Sequence, residues 1–352
     1  SKILAPVVSL DKKQILSLLQ APPSPEMGDY AFPCFVLAKT LRKNPAAIAT
    51  ELQDKIAPTK HISEVKALGP YLNFFVDRST AANTVLSTIL QQKKSYGPAK
   101  QPKKTIMVEY FHANTHKAVH LGHVRNICLG EALCRLLEET GMHVHRVNYQ
   151  GDVGPHVAKC LWSYLRTKKQ PPKKSRGVWL GQLYTAANKA MENNEHNVEE
   201  SKAILDKIYD QDQKMLAVWK KTRQWCLDDF EIMYKDFGVK FHKLFFESDM
   251  EMPARKIAKD LLKKKIAELS DDAIIIDLKP YDLGVFVILT QDGRALYSSK
   301  DLVLAEHKFS HYKLDKSIHV VGKEQELHFQ QLFKSLELMG DKEAAKKSFH
   351  LM

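Results

Sequence analysis

The stretch Glu109-Tyr110-Phe111-His112-Ala113-Asn114-Thr115-His116-Lys117-Ala118-Val119-His120-Leu121-Gly122-His123 decides how the rest of the chain is read. A strand-like run from Ile106 to Phe111 feeds a polar loop, and His120-Leu121-Gly122-His123 opens a helical pattern. Val124, Ile127, Cys128, Leu133, Leu136 and Leu137 recur at near-helical spacing, and Gly141 stops the helix. Val144 to Tyr149 predicts a second strand directly after it. The unit is strand–loop–helix–strand, with its loop at the carboxyl end of the first strand, where open α/β sheets bind ligands.

The chemistry of that loop follows from its residue types. A helix amino terminus presents unpaired N–H groups and a partial positive charge, and so favours phosphate. Gly122 leaves room for a flat base or a phosphate against the backbone. His120 and His123 fall on nearly the same side of the first turn. Together they can donate hydrogen bonds to phosphate oxygens as charge develops there. Two surface histidines at a helix start is the competing reading of the pair alone.

The surroundings favour the first reading. His-x-Gly-His after a strand, with Asn114 and Lys117 upstream and Arg125-Asn126 downstream, resembles the first signature of class I aminoacyl-tRNA synthetases. The longer string, Glu109-Tyr110 followed by Asn-x-x-Lys-x-x-His-x-Gly-His-x-Arg over Asn114–Arg125, is similar to that of arginyl-tRNA synthetases. His-x-Gly-His by itself also has relatives among small nucleotidylyltransferases.

Length and charge set outer limits. The 352 residues can bury a full core and predict two domains, one with an insertion. No apolar run reaches the roughly 18 residues of a membrane span, and no signal peptide is visible. Cys34, Cys128, Cys134, Cys160 and Cys226 form no CxxC pair and are odd in number, which predicts reduced thiols, a cytoplasmic location and no zinc or other protein-held metal site. A net charge of +12 favours a polyanionic partner without separating RNA from other polyanions.

Residues 1–95 read as a small α+β domain, with helical patterns at Lys12–Gln20, Cys34–Leu41 and Pro45–Ile56 and a strand at Leu72–Val76. Gly28-Asp29-Tyr30, Ala38-Lys39, Pro45–Ala49 and Gly69–Phe74 together resemble the amino-terminal added domain of arginyl-tRNA synthetases, which reaches the elbow of the tRNA. Residues 96–104 are a linker by composition. Past Tyr149, Gly151-Asp152-Val153-Gly154 suits a loop at a second strand end, where the family often carries Gly-Asp-Trp-Gly. Long amphipathic helices follow the basic loop Lys168–Arg176, and Phe246-Glu247-Ser248 also fits the family. Ala273–Leu278 and Val285–Thr290 read as short strands, and Ile318–Gly322 as a buried parallel strand with a helix after it.

The resemblance implies an α/β fold: a class I synthetase Rossmann-like parallel sheet over 105–352, with a helical insertion at about 168–265, behind the small α+β domain. It implies a ligase that joins L-arginine to tRNA(Arg) at the expense of ATP, with Mg²⁺ accompanying the nucleotide. The positions that match the family's arginine pocket are Glu109, Asn114, Tyr297, Asp301 and Gln325. A guanidinium calls for carboxylates in fork geometry, which Asp301 and Glu109 are expected to supply. His120, His123 and Lys117 are assigned to the phosphates as catalytic residues, Gly122 to adenosine packing, and Gly151 and Asp152 to the nucleotide side of the cleft. Members of the family continue past the region matching Phe349–Met352 into a Lys-Met-Ser-Lys-Ser type loop and an anticodon-binding domain, which these 352 residues do not contain. Lys117 is expected to compensate in part. A fragment, a split enzyme served by a separate C-terminal fragment, and an inactive tRNA- or partner-binding paralogue stay open.

Overall fold

The structure, a computed structural model, describes residues 1–97 and 104–352. The chain divides into two compact units, Ser1–Gly97 and Pro98–Met352. Most of the expected linker, residues 98–103, lies outside the described residues.

In the first unit, helices α1 (Lys12–Leu18), α2 (Phe35–Leu41) and α3 (Pro45–Lys55) pack with strands β1 (Tyr30–Pro33), β2 (Ile62–Leu68) and β3 (Tyr71–Val76), and α4 (Arg78–Gln92) follows. The strands form an antiparallel sheet in the order β1-β3-β2, closed by Ile15, Phe32, Leu37, Ile48, Leu52, Leu72 and Phe74. Asp29 explains part of the Gly-Asp-Tyr motif. Its carboxylate accepts from the Val76 amide at 2.8 Å and pairs with Arg78 at 2.9 Å, tying the turn to the end of β3.

The second unit opens with β4 (Thr105–Glu109), α5 (Leu121–Glu139) and β5 (His143–Gln150), and four helices leave the sheet: α6 (Pro155–Arg166), α7 (Arg176–Met191), α8 (Glu195–Tyr209) and α9 (Gln213–Asp236). The chain returns through β6 (Lys243–Phe246) and α10 (Glu247–Lys263), makes a separate antiparallel sheet of β7 (Glu268–Ser270), β8 (Ala273–Asp277) and β9 (Val285–Leu289), and continues into α11 (Tyr297–His311). It ends with β10 (Lys316–Val320), α12 (Glu326–Leu338), α13 (Lys342–Lys347) and β11 (Ser348–Leu351). The main sheet is parallel, in the order β11-β10-β4-β5-β6. Strand β6 lies inside the stretch assigned by sequence to the insertion but belongs to this sheet, so the helical excursion is α6–α9.

Parallel strands need cover on both faces, since their crossovers are helices. One face carries Ile106, Val108, Val144, Ile318 and Val320 against Ile127 of α5 and Phe230 and Tyr234 of α9. The other carries Met107, Val147 and Phe245 against Met250 of α10 and Leu304 of α11.

Two local readings are corrected. Strand β4 stops at Glu109, two residues early, because Phe111 (φ 82°) and His112 (φ 56°) turn left-handed. That turn drives Phe111 into the core against Phe230 and Tyr234. The buried side of α5 is also rotated from its apolar spacing: Cys128 and Leu136 are exposed, while Asn126, Gly130, Glu131 and Cys134 are buried with Ile127. Glu131 is tolerated inside because its carboxylate is saturated. It accepts from Tyr110 Oη at 2.9 Å, Arg135 Nε at 2.8 Å and Arg146 Nε at 2.9 Å. Arg146 also reaches Glu138 at 2.5 Å. This cluster binds α5 to the sheet at β5. Replacing Glu131 by Ala leaves Arg146 buried with only one carboxylate, and urea unfolding should show a loss of about 3 kcal/mol or more.

Candidate active site

In the main sheet β5 lies on one side of β4 and β10 on the other, so connections diverge at the carboxyl ends of β4 and β10. Open sheets leave a crevice at such a switch point. Here it is a cleft of about 630 Å³. The structure brings Glu109, Asn114, His120, Gly122, His123, Tyr297, Asp301 and Gln325 to its lining. Lys117, Gly151 and Asp152 are outside that lining.

The loop between β4 and α5 is pinned before it reaches the cleft. His116 is fully buried, with Nδ1 2.9 Å from Thr115 Oγ1 and Nε2 2.9 Å from Thr222 Oγ1 on α9. Thr222 donates its own proton to the Val218 carbonyl, so His116 Nε2–H is the donor to it. Burial lowers the His116 pKa to about 3 and keeps the ring neutral.

At the start of α5 the two histidines cap the helix reciprocally. Gly122 N–H donates to His120 Nδ1 at 3.1 Å, and His120 N–H donates to His123 Nδ1 at 3.2 Å. In the neutral rings both protons therefore sit on Nε2, which leaves two N–H donors for a ligand. A Cβ on Gly122 would sit 3.0 Å from the His120 ring, so glycine makes that cap possible. Burial, followed by the charges of His120, His112 and Lys117, lowers His123 to about 4. Lys117 is half-buried, with its ammonium 5.4 Å from the centre of the Tyr184 ring.

The cleft is also lined by carboxylates, which differ in how they are neutralised. Glu109 is 3% exposed, with Lys308 Nζ at 2.5 Å from one oxygen and His319 Nδ1 at 2.9 Å from the other. Burial opposes its ionisation, yet Lys308 and His319 hold it well below the usual carboxylate range. Asp301 has a weaker partner, His328 Nε2 at 2.7 Å, and His328 in turn packs on Tyr297, ring centres 4.7 Å apart. Gln325 sits in the 3₁₀ turn Lys323–Gln325 that precedes α12.

Glu247, which sequence reading did not assign to the site, begins α10 and also lines the cleft. Lys300 Nζ lies 3.6 Å from it but only 3.0 Å from Glu251, so one ammonium serves two carboxylates. Burial raises the Glu247 pKa to about 7; Lys300 works against that shift, and Asp301 adds to it. Gly151 makes the neighbourhood possible: a Cβ there would lie 2.1 Å from Asn114 Oδ1 and 3.0 Å from Glu247 Oε1. Asp152 is fully buried and engaged within the protein, accepting from Ser248 N and Oγ and pairing with Arg223 at 2.7 Å. Its carbonyl accepts from Trp219 Nε1 at 2.7 Å. His156 packs at the start of α6, with Nε2 3.3 Å from the Gly151 carbonyl.

His112, Lys308 and His328 were missed as well. Their only sequence signal is indirect: Lys308 lies on the helix opened by Tyr297, and His328 on the helix that follows Gln325.

A switch-point cleft in a parallel sheet, entered from a His-x-Gly-His helix start, fits the catalytic domain of a class I aminoacyl-tRNA synthetase, and the family match establishes that class. Residues 85–352 match the family described as tRNA synthetases class I (R), catalytic domain, and residues 1–76 match the Arginyl tRNA synthetase N terminal domain. The chain belongs to the arginyl-tRNA synthetase family. It is 38% identical to the arginine–tRNA ligase of Bdellovibrio bacteriovorus over 98% of this chain and 60% of that protein. With the arginine–tRNA ligase of Clostridium perfringens it shares 36% identity over 98% of this chain and 61% of that one. The fold is similar to that of Thermus thermophilus arginyl-tRNA synthetase, with a TM-score of 0.65 at 24% identity over 95% of this chain and 61% of the other. The chain thus spans about 60% of the length of the curated relatives it matches.

The raised pKa of Glu247 has a definite sign. Between its ordinary value of 4.5 and about 7 the folded chain holds a proton that the unfolded chain has released, so stability falls as pH rises through that window. Glu247→Gln removes the titration. Urea unfolding of both proteins at pH about 5 and about 8 should show the variant gaining on the parent by up to roughly 3 kcal/mol at the higher pH.

Proposed function

We propose that this chain carries the amino-acid-activating centre of an arginine–tRNA ligase. Arginine binds with its guanidinium at the carboxylates of the cleft and its own carboxylate toward His120 and His123, where the ATP phosphates lie. The carboxylate oxygen attacks the α-phosphorus of ATP, the bond to the β-phosphate oxygen breaks, and pyrophosphate leaves arginyl-adenylate behind. The terminal ribose hydroxyl of tRNA(Arg) then attacks the adenylate carbonyl and AMP departs.

What carries the reading is Asp301: a cleft-lining carboxylate whose partner is an imidazole and not a resident ammonium or guanidinium. Glu109 is already balanced by Lys308 and contributes mainly by fixing geometry. Glu247 becomes fully charged when a cation arrives. Asp301 and Glu247 are thus the carboxylates to which a planar five-donor cation brings most. Asn114, Gln325 and the Tyr297 hydroxyl supply neutral contacts.

On the nucleotide side the paired Nε2–H groups of His120 and His123 donate to phosphate oxygens as charge builds on them, and Lys117 adds a positive charge behind His123. Gly122 leaves space for adenosine. Gly151 and Asp152 act one layer back, shaping the loop that holds Asn114 and Glu247. The protein has little covalent work to do here, so positioning and charge stabilisation carry the rate. Among the described residues no group of three His, Cys, Asp or Glu side chains is arranged to hold a metal. Mg²⁺ would accompany the nucleotide and offset phosphate charge there.

The first unit is proposed to contact the tRNA elbow, and a separate C-terminal segment to supply the second phosphate-binding loop and anticodon contacts. No helix among the described residues is long and apolar enough to cross a membrane, and work beside the translation machinery in the cytoplasm fits five free cysteines.

Arginine-dependent ATP–pyrophosphate exchange, with tRNA(Arg) present, tests the proposal. Activity is expected; silence while arginine and ATP both still bind would favour the inactive paralogue. Asp301→Asn should weaken arginine by about 10- to 100-fold, the worth of a charged hydrogen-bond pair, and leave ATP nearly unchanged in a calorimetric titration.

A further inference from the structure

Tyr149 lines the same cleft. It lies near the carboxyl end of β5, paired in register with Phe245, and two residues beyond Val147, which pairs with Glu109. Alternation along a strand therefore turns Tyr149 to the same face of the sheet as Glu109. Its ring lines the cleft together with Glu109, Glu247 and Asp301.

The hydroxyl is buried and has no hydrogen-bond partner among the described residues. Its surroundings make that unusual. Besides burial, the groups that hold the proton on this phenol are, in order, the carboxylates of Asp301, Glu247, Glu109 and Asp152, the first three of which line the cleft. It stands among acceptors and donates to none of them. Two other polar atoms at the cleft, His112 Nε2 and His328 Nδ1, are also unpartnered, but of the three only Tyr149 brings a hydroxyl, which can donate and accept at once.

A buried hydroxyl is seldom left unpaired unless something else completes it. A guanidinium does so in a way an ammonium cannot, because it is planar and presents five N–H groups along its edge. Asp301 and Glu247 can accept from it as forks. The hydroxyl oxygen in the same cleft offers a neutral acceptor beside them, and a carboxylate drawn toward the ligand gives the phenol proton an oxygen to bond.

We infer that Tyr149 is a specificity-determining contact of this site, its Oη accepting an N–H from the bound guanidinium while donating to one of the flanking carboxylates. This rests on the arginine reading above. Phenylalanine removes only the oxygen and keeps the ring that packs in the sheet.

The experiment is calorimetric titration of the 352-residue chain and of Tyr149→Phe, each with arginine and separately with ATP, alongside thermal unfolding of both. The variant should lose about 5- to 20-fold in arginine affinity, the scale of one hydrogen bond, with ATP affinity and unfolding midpoint unmoved. Equal arginine affinity in the two proteins would overturn the inference and leave the arginine reading standing. A parallel loss for arginine and ATP, with a lowered midpoint, would overturn it too, because the hydroxyl would then serve the fold. Absence of arginine binding by the unaltered chain would sink both readings.

Discussion

The interaction on which the rest depends is the buried contact of Glu109 with Lys308 and His319. These three groups sit on β4, α11 and β10, separated by 199 and 210 residues of chain. Lys308 is 1% exposed, and an ammonium at that depth is tolerable only with its partner in place. The triad therefore fixes how the strand that launches the ligand loop meets the two elements that complete the cleft. Any shift of α11 against β4 strands a charge in the interior, which is a steeper penalty than loosened apolar packing would impose. Burial and the nearby Lys308 also hold His319 neutral, so it donates to Glu109 without adding a second positive charge.

Around this anchor the cleft separates two kinds of chemistry. On the α5 side, the reciprocal cap occupies Nδ1 of each histidine and so decides which nitrogen is left to face the cleft. Donors fixed in advance cost no reorganisation when charge develops opposite them. The loop leading there turns left-handed at Phe111, His112 and His116, none of them glycine. Such conformations persist where surrounding contacts over-determine them. Here the Phe111 ring is locked among Phe230 and Tyr234, His112 N–H is held by Asn148 Oδ1 at 3.1 Å, and His116 is held by Thr115 and Thr222.

Much of this was legible in the sequence, but unevenly. The strand–loop–helix–strand unit reads directly, because hydrophobic period and a glycine stop are local signals. The spacing of His120, Gly122 and His123 reads for the same reason, since a helix start is local. Burial on α5 did not read correctly: Glu131 is inside only because Arg146 and Tyr110 meet it from the sheet, and no window around Glu131 contains them. Lys308, His328 and Glu247 were invisible as site residues for a similar reason, each being defined by a partner or a cleft assembled from distant segments. Asp152 shows the converse. Its motif draws the eye toward the ligand, whereas the fold engages its carboxylate with Ser248 and Arg223. Strand β6 was hidden inside a helical stretch, being only four residues long and paired with β5 alone.

The charge arrangement of the cleft's carboxylates has its own logic. Three bare carboxylates facing one another without a ligand would be expensive to desolvate and would repel, so an empty pocket built that way would be unstable. This chain divides the burden. Glu109 receives a dedicated lysine, Glu247 shares Lys300 with Glu251 and stays close to half-protonated near neutrality, and Asp301 leans on a histidine. Little charge in the cleft is therefore left uncompensated, and of these three carboxylates only Asp301 has no lysine or arginine beside it among the described residues. The neutralisation is thus uneven, strongest at Glu109 and weakest at Asp301. Under the proposed function, that unevenness gives Glu109 a structural part and leaves recognition to Asp301 and Glu247.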